Sequence, residues 1–428
     1  MQNLLKKYTC LVLMALICFL STGFSADAAP RAQQFRDNDH PVIVIDPGHG
    51  GENEGTIENG FLEKSMTMVT AQAMYDELRK YDNVDVYLTR AEDVDLSLKE
   101  RAEFAASVNA DFLFSIHYNA SVDHDLFGSE VWISSKNPYN AYGYQFGYIQ
   151  MEAMQDMGLF LRGIKTRLND RGSDYYGIIR ESVALDIPAV IIEHCHVDEE
   201  RDSSFCDSEE ELIAFGKADA EAVARYLGLT TEETPSFPEV KENEPVAVSL
   251  KDETPPEDCT ITVLSRNEEI GEITLEVQAK DSDSPLIYYR YSYDGGYHYS
   301  PLIPWPDSDV LSNSYAEQFT FTLQVPSGIR PRISVLAYNL FDAFTESNQI
   351  IEDHVYRYGE EPEDADPEDA DPEYKEPSET SEILVPAAST NTETAETQEL
   401  IIIVLLIVVL ILLALIIFRL AWQIIQEK

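Results

Sequence analysis

Val42-Ile43-Val44-Ile45-Asp46-Pro47-Gly48-His49-Gly50-Gly51 is the stretch whose reading decides the fold. Four consecutive β-branched residues predict a strand buried on both faces, and the glycines turn the chain after it into a tight exposed loop. Comparable apolar runs recur at 84–88, 112–116, 130–133 and 189–192. Between several of them lie helix-period patterns, such as Leu62, Met66, Val69 and Ala73, or Leu212, Phe215, Val223 and Leu227. Strands alternating with helices predict an α/β domain over 40–229, with a twisted, mostly parallel sheet flanked by helices.

Outward from this domain, composition divides the rest. The chain of 428 residues sets 30 Lys and Arg against 77 Asp and Glu, a net charge of −47. Such a surface repels nucleic acid and anionic lipid, which argues against both as bulk partners. Hydrophobic residues at 44% supply ample core, so wholesale disorder is excluded. A basic start, a short apolar run and Ala26-Asp27-Ala28 predict a signal peptide over 1–28. Cys10 and Cys18 would leave with it. Cys195, Cys206 and Cys259 remain without metal-type spacing, read as buried free thiols in preference to a Cys195–Cys206 bridge.

Residues 230–258 are rich in Thr, Glu and Pro and predict a linker. Over 259–356 the pattern becomes strict alternation, as in Ile273, Leu275, Val277 and Ala279, which predicts a C-terminal β-sandwich of immunoglobulin or fibronectin type. Its many tyrosines suggest a protein or glycan partner, although aromatics at strand spacing also make cross-strand pairs. The acidic, proline-bearing stretch 357–399 predicts an extended spacer. Residues 400–418 are an unbroken apolar run of about 28 Å at ~1.5 Å per residue, long enough to predict a single transmembrane helix. Acids before it and Arg419 and Lys428 beyond it imply an exported protein anchored in the membrane, its body outside and a short C-terminus in the cytoplasm.

The candidate chemistry lies at the carboxyl ends of the strands, where open α/β sheets bind ligands. His49 is displayed on the glycine loop, and His117 ends the apolar run at 112–116. Glu63 opens a helical pattern after a glycine-rich loop. Two neutral imidazoles and one carboxylate suit a catalytic zinc with a fourth position left for water. Taken singly, each residue has an ordinary alternative: a solvated loop histidine, a core histidine, a first-turn acid.

Together these segments resemble the zinc-dependent N-acetylmuramoyl-L-alanine amidases of the type 3 class. The likeness runs across 41–229 and rests on Asp46-Pro-Gly-His-Gly-Gly51, Glu63-Lys64, Leu88-Thr-Arg90, Leu98-Lys-Glu-Arg101, Ala110-Asp111, Ser115-Ile-His-Tyr-Asn-Ala120, Arg162-Gly-Ile-Lys165 and Pro188-Ala-Val-Ile-Ile-Glu193. The resemblance implies that His49, Glu63 and His117 ligate Zn2+, that Glu193 is the catalytic acid-base residue, and that peptidoglycan is the substrate. Glu193 also follows Ile191-Ile192 at the end of an apolar strand, which brings it to the same sheet edge. After Glu193 the chain departs from the family pattern with His194-Cys195-His196-Val197-Asp198, and strand alternation sends both histidines away from Glu193.

Among the remaining polar residues, Arg180 and Asn119 are candidates for substrate contact, whereas Arg90 and Arg101 fit internal salt bridges better. The tyrosine-rich stretch 137–176 predicts either a wall of the groove or a helix with an aromatic stripe. Two rival functions stay open on the sequence: a zinc hydrolase acting on another cell-wall bond, and a non-catalytic surface scaffold.

Overall fold

The chain after residue 40 enters a strand, β1 (Val42–Pro47), that is buried along its entire length. A computed structural model describes residues 40–229 and 254–359. The signal peptide expected at 1–28, most of the 230–258 linker, the spacer from 360 and the 400–418 run lie outside the described residues. Downstream of β1 come the short pair β2 (Ile57–Glu58) and β3 (Phe61–Leu62), then β4 (Asp85–Leu88), β5 (Phe112–Asn119), β6 (Ser129–Ile133), β7 (Leu161–Lys165) and β8 (Ala189–His196). Apart from β2 and β3, these strands form one six-stranded sheet in the order β4-β1-β5-β8-β6-β7.

Burial on both faces follows from the period-2 alternation of the strands. Ile43, Ile45, Phe112, Phe114, Ile116, Val190 and Ile192 point into one core. The helices Glu63–Leu78, Tyr139–Asp156 and Glu209–Leu227 pack on that side. Val44, Leu113, Ala189 and Ile191 enter the opposite core, beneath the helices Leu98–Ser107 and Gly177–Ala184. Ser97 and Ser208 start their helices with complete capping boxes, satisfying amide donors that the first turn leaves unpaired. Within 137–176, the Tyr139–Asp156 helix lies against the sheet, so close that a Cβ on Gly143 would meet Ile133 at 2.9 Å. Its Phe146 is core.

The sheet is not uniformly parallel, and this positions the site. β4, β1, β5 and β8 run parallel, but β6 is antiparallel to β8 and β7 is parallel to β6. The amino ends of β6 and β7 therefore reach the edge where β5 and β8 end. Glu130 pairs directly with Glu193 across β6 and β8.

Residues 258–351 supply β9 (Asp258–Asn267), β10 (Glu272–Lys280), β11 (Leu286–Ser292), β12 (Ile303–Pro304), β13 (Gln318–Gln324), β14 (Arg332–Asn339), β15 (Phe344–Glu346) and β16 (Ile350–Ile351). One antiparallel sheet has the order β13-β10-β9; the other has β12-β11-β14-β15, with β16 beside β14. Ile273, Leu275 and Val277 from the first share a core with Val335, Ala337 and Tyr289 from the second. Tyr289 packs on Trp305, Phe319 and Phe321, so part of the aromatic set is core. Cys195, Cys206 and Cys259 are free and buried.

One part of the expected architecture needs correction. No helix among the described residues is long and apolar enough to cross a membrane, and 400–418 lies outside them. The longest described helix, Glu209–Leu227, has 19 residues and opens on Glu209, Glu210 and Glu211, whereas a spanning helix requires about 20 mostly apolar ones. The transmembrane helix, the contact with the membrane and the anchored localisation are accordingly withdrawn.

Candidate metal and catalytic site

His49 leaves β1 with a backbone φ of 61°, in the left-handed region, and its ring turns back over the sheet edge. Two arginines hold this loop from below. Arg101 donates to Asp46 Oδ1 at 2.7 Å, to the Pro47 carbonyl at 2.7 Å and to the His49 carbonyl at 2.6 Å. Arg90 donates to the carbonyls of Pro47, Gly48 and Lys64, joining the loop to the first turn of the Glu63–Leu78 helix. Arg101 thus makes a buried ion pair with Asp46, while Arg90 is spent on backbone oxygens. Gly48 is required for space: a Cβ there would lie 2.4 Å from His117 Cε1.

Glu63 is the first residue of its helix and is only 4% exposed. Its Oε2 accepts from the Thr56 amide at 2.8 Å, and its Oε1 accepts from the Tyr118 amide at 3.1 Å. That same Oε1 lies 3.1 Å from His49 Nε2 and 3.1 Å from His117 Nδ1. The two imidazole rings stand 5.0 Å apart at 80°. His49, Glu63 and His117 thus each offer one ligand atom, all within 4.8 Å of one another.

The protons on these rings can be assigned from their outer partners. His49 Nδ1 faces Asn53 Oδ1 at 2.9 Å, so it carries the hydrogen and leaves Nε2 as a lone pair. Ser115 Oγ donates to Asp46 Oδ2 at 2.8 Å, so it accepts from His117 Nε2 at 3.2 Å and leaves His117 Nδ1 as a lone pair. With both rings neutral, three lone pairs converge on one point. That arrangement is relieved by a proton on His49, whose pKa is raised, or by a metal cation, and two imidazole nitrogens with one carboxylate oxygen match the ligand chemistry of zinc. Burial opposes ionisation of Glu63, but the imidazoles of His117 and His49 against its Oε1 outweigh it and hold the carboxyl well below its usual range. Burial likewise opposes charge on His49, yet the hydrogen bond and charge of Glu63 raise its pKa.

Glu193 stands beside this cluster, paired with His117 across β5 and β8. Its Oε2 is buried and has no hydrogen-bond partner among the described residues. Burial first, then the charges of Glu63 and Glu130, push its carboxyl well above the ordinary range. Buried carboxyl oxygens are normally satisfied, so an orphan in a cleft marks a group held ready for something absent.

The other anticipated residues take different places. Asn119 donates to Glu130 Oε1 at 2.9 Å and caps its own neighbour Ala120. Arg180 is partly exposed and donates to the carbonyls of Asp174 and Tyr175, bracing the turn before its helix. His194 is buried on the face away from Glu193, between Tyr118 and Phe215, and bonds Asp219 at 2.9 Å. Its Nδ1 holds the His117 carbonyl at 3.0 Å.

Sequence reasoning missed Glu130, Arg162, Lys165, Trp132 and Tyr176. Glu130 accepts from Lys165 at 2.8 Å, Arg162 at 3.0 Å and the Trp132 indole at 3.1 Å. Burial would raise its pKa, but Lys165 and Arg162 keep it ionised. Tyr176 packs on Trp132 at 4.9 Å, and its hydroxyl feels the charges of both Glu130 and Glu193 after the larger effect of burial. Arg162 and Lys165 were visible as a motif, but nothing local told that β6 and β7 bring them to the active edge.

Over this domain the chain is similar to known proteins. Residues 43–225 match the Amidase_3 family, described as N-acetylmuramoyl-L-alanine amidase. Over 189 residues the chain is 31% identical to the N-acetylmuramoyl-L-alanine amidase CwlM of Bacillus licheniformis, covering 44% of this chain and 69% of that protein. It is 32% identical over 163 residues to the N-acetylmuramoyl-L-alanine amidase LytC of Bacillus subtilis, covering 38% of this chain and 31% of that one. The solved catalytic domain of CwlV, an N-acetylmuramoyl-L-alanine amidase from Bacillus (Paenibacillus) polymyxa, is 26% identical; the match covers 44% of this chain and 98% of that domain, with a TM-score of 0.39. By the family match and the extent of its likeness to CwlM, the chain belongs to the Amidase_3 family of N-acetylmuramoyl-L-alanine amidases.

Proposed function

We propose that this chain hydrolyses the amide between N-acetylmuramic acid and L-alanine in peptidoglycan, with zinc held by His49, Glu63 and His117 and with Glu193 as general acid and base. The observation that carries the reading is the orphaned, buried Oε2 of Glu193 beside the cluster of His49, Glu63 and His117.

Zinc, when bound, supplies Lewis acidity that polarises the scissile carbonyl and acidifies water. The remaining work belongs to the chain. Asn53 and Ser115 hold the outer ring nitrogens, so that His49 would present Nε2 and His117 Nδ1 to the metal. Glu193 takes the proton of the attacking water and returns it to the departing alanine nitrogen. The unpartnered Oε2 of Glu193 beside the three candidate ligands supports both transfers; such catalysis is worth roughly 10²–10⁴ in rate. Trp132 and Tyr176 pack on one another next to Glu130.

The test is mass spectrometry of purified peptidoglycan digested by the full chain, with and without a chelator. The expected product carries a new alanine amino terminus and is lost with the chelator. Glu193→Gln should retain zinc and release no product. A product cut at another bond, or undiminished digestion by Glu193→Gln, refutes the assignment.

A further inference from the structure

We propose that the two-sheet unit at 258–351 is a working part of the catalytic unit, with Asp342 as a positioning residue that acts on the active edge through Arg162 and Glu130.

Arg162 is 2% exposed, and every nitrogen of its guanidinium is engaged. Nε donates to Glu130 Oε2 at 3.0 Å, on the active edge. Nη2 donates to Asp342 Oδ2 at 2.7 Å, and Nη1 donates to the Tyr288 hydroxyl at 3.4 Å. The last two groups come from the β-sheet unit. One planar cation therefore bridges the two parts of the chain, and its fork fixes both ends at once. Beyond it, Glu130 holds Asn119 and the Trp132 indole with its other oxygen and lies directly opposite Glu193.

Charge explains why Asp342 matters. Arg162 and Lys165 are both buried beside Glu130, so this site alone has two cations for one anion. Asp342 supplies the second anion. Without it, Arg162 and Lys165 are left with Glu130, whose Oε2 both already bond, as their anion.

The delivery of Asp342 is rigid. Asp342 sits at φ 65° in a turn pinned by the buried Asn339, whose side-chain oxygen accepts from the Phe341 and Ala343 amides at 3.1 Å each. The Asp342 side chain is 37% exposed, at the rim of an apolar seam. Phe127 and Phe160 pack with Tyr288 at 4.9 and 5.0 Å, joined by Ile287, Leu302 and Leu340. The Tyr288 hydroxyl donates to the Phe127 carbonyl. An interface made of aromatic rings and a buried arginine is typical of a fixed seam, unlike the looser polar contacts of tethered modules.

The kinetic part of this proposal rests on the amidase reading; the spectroscopic part does not. The experiment uses the full chain labelled with ¹⁵N and follows its tryptophan side-chain N–H signals. There are three tryptophans. Trp132 bonds Glu130, whereas Trp305 bonds the Ala316 carbonyl in the sheet unit and serves as reference. Asp342→Asn should move the Trp132 signal and leave that of Trp305. It should lower kcat by about 3- to 30-fold while KM stays within about twofold, the range for coupling through a packed network.

Asp342→Glu should restore much of both readouts. Tyr288→Phe, which keeps the ring but loses the hydroxyl, should move Trp132 in the same direction and serves if Asp342→Asn fails to fold. Arg290→Gln removes a different ion pair across the seam, Arg290 to Asp125, and should change neither readout. The proposal is overturned if Asp342→Asn leaves Trp132 in place, or if Arg290→Gln moves it as far. If the wild-type chain frees no alanine amino terminus, the amidase reading fails, and the tryptophan signals still decide the bridge.

Discussion

Arg101→Met offers the most demanding test of how this fold supports its site. Arg101 and Asp46 form an ion pair whose side chains are 3% and 2% exposed, so water cannot replace either partner. Removing the guanidinium strands the Asp46 carboxylate with only the hydroxyls of Thr89 and Ser115, at 2.5 and 2.8 Å. Breaking one side of a buried pair costs about 3–5 kcal/mol. For a domain of this size each kcal/mol lowers Tm by about 2–4 °C, giving a loss of roughly 6–20 °C. The Pro47 carbonyl keeps a donor in Arg90, but the His49 carbonyl loses the guanidinium that fixes it. Zinc affinity should therefore fall by about 10- to 100-fold, as for other losses behind a metal ligand. The double variant Asp46→Asn with Arg101→Met removes the stranded charge and should be more stable than Arg101→Met alone. Urea unfolding and zinc competition with a chromogenic chelator measure both effects. A cost below about 1 kcal/mol, or a double variant no more stable than the single, would refute the reasoning.

Three further outcomes are expected. In chelator-treated protein, Glu193→Gln should raise Tm, by more at pH 8 than at pH 5. The folded-state pKa of Glu193 is raised, so its contribution is present below its unfolded value and is lost as pH rises through the folded one; a gap independent of pH would contradict this. Gly48→Ala drives a methyl into His117 at 2.4 Å and should cost about 1–3 kcal/mol together with most zinc binding, read by thermal melting and metal content. Zinc at 100 times its Kd should stabilise the wild type by about 2.7 kcal/mol, or about 5–10 °C, and should do nothing for His117→Ala.

Much of the catalytic half was legible because its signals are local. The run Val42-Ile43-Val44-Ile45 can only be covered on both faces, and the glycines after it can only turn. The same logic placed His49 and His117 at the carboxyl edge, since each follows an apolar strand. Glu63 as a first-turn residue followed from the helical period that begins there. By contrast, β7 was not foreseen. Leu161-Arg162-Gly163-Ile164-Lys165 carries two charges and a glycine at φ 88°, and only a partner strand with Glu130 compensates those charges. Arg180 pointed toward the edge by position in sequence, yet its donors are consumed by the carbonyls of its own turn.

By itself the sequence determined which side chains end up on the edge of β1, β5 and β8, because strand period and glycine turns act over a few residues. Only the tertiary structure decided what surrounds them. The reversal of β6 against β8 sets Glu130 opposite Glu193, and the distant turn at Asp342 completes the charge balance of Arg162. Both depend on the pairing of strands far apart in the chain, where electrostatic energy is fixed by distance through space and not by separation in sequence.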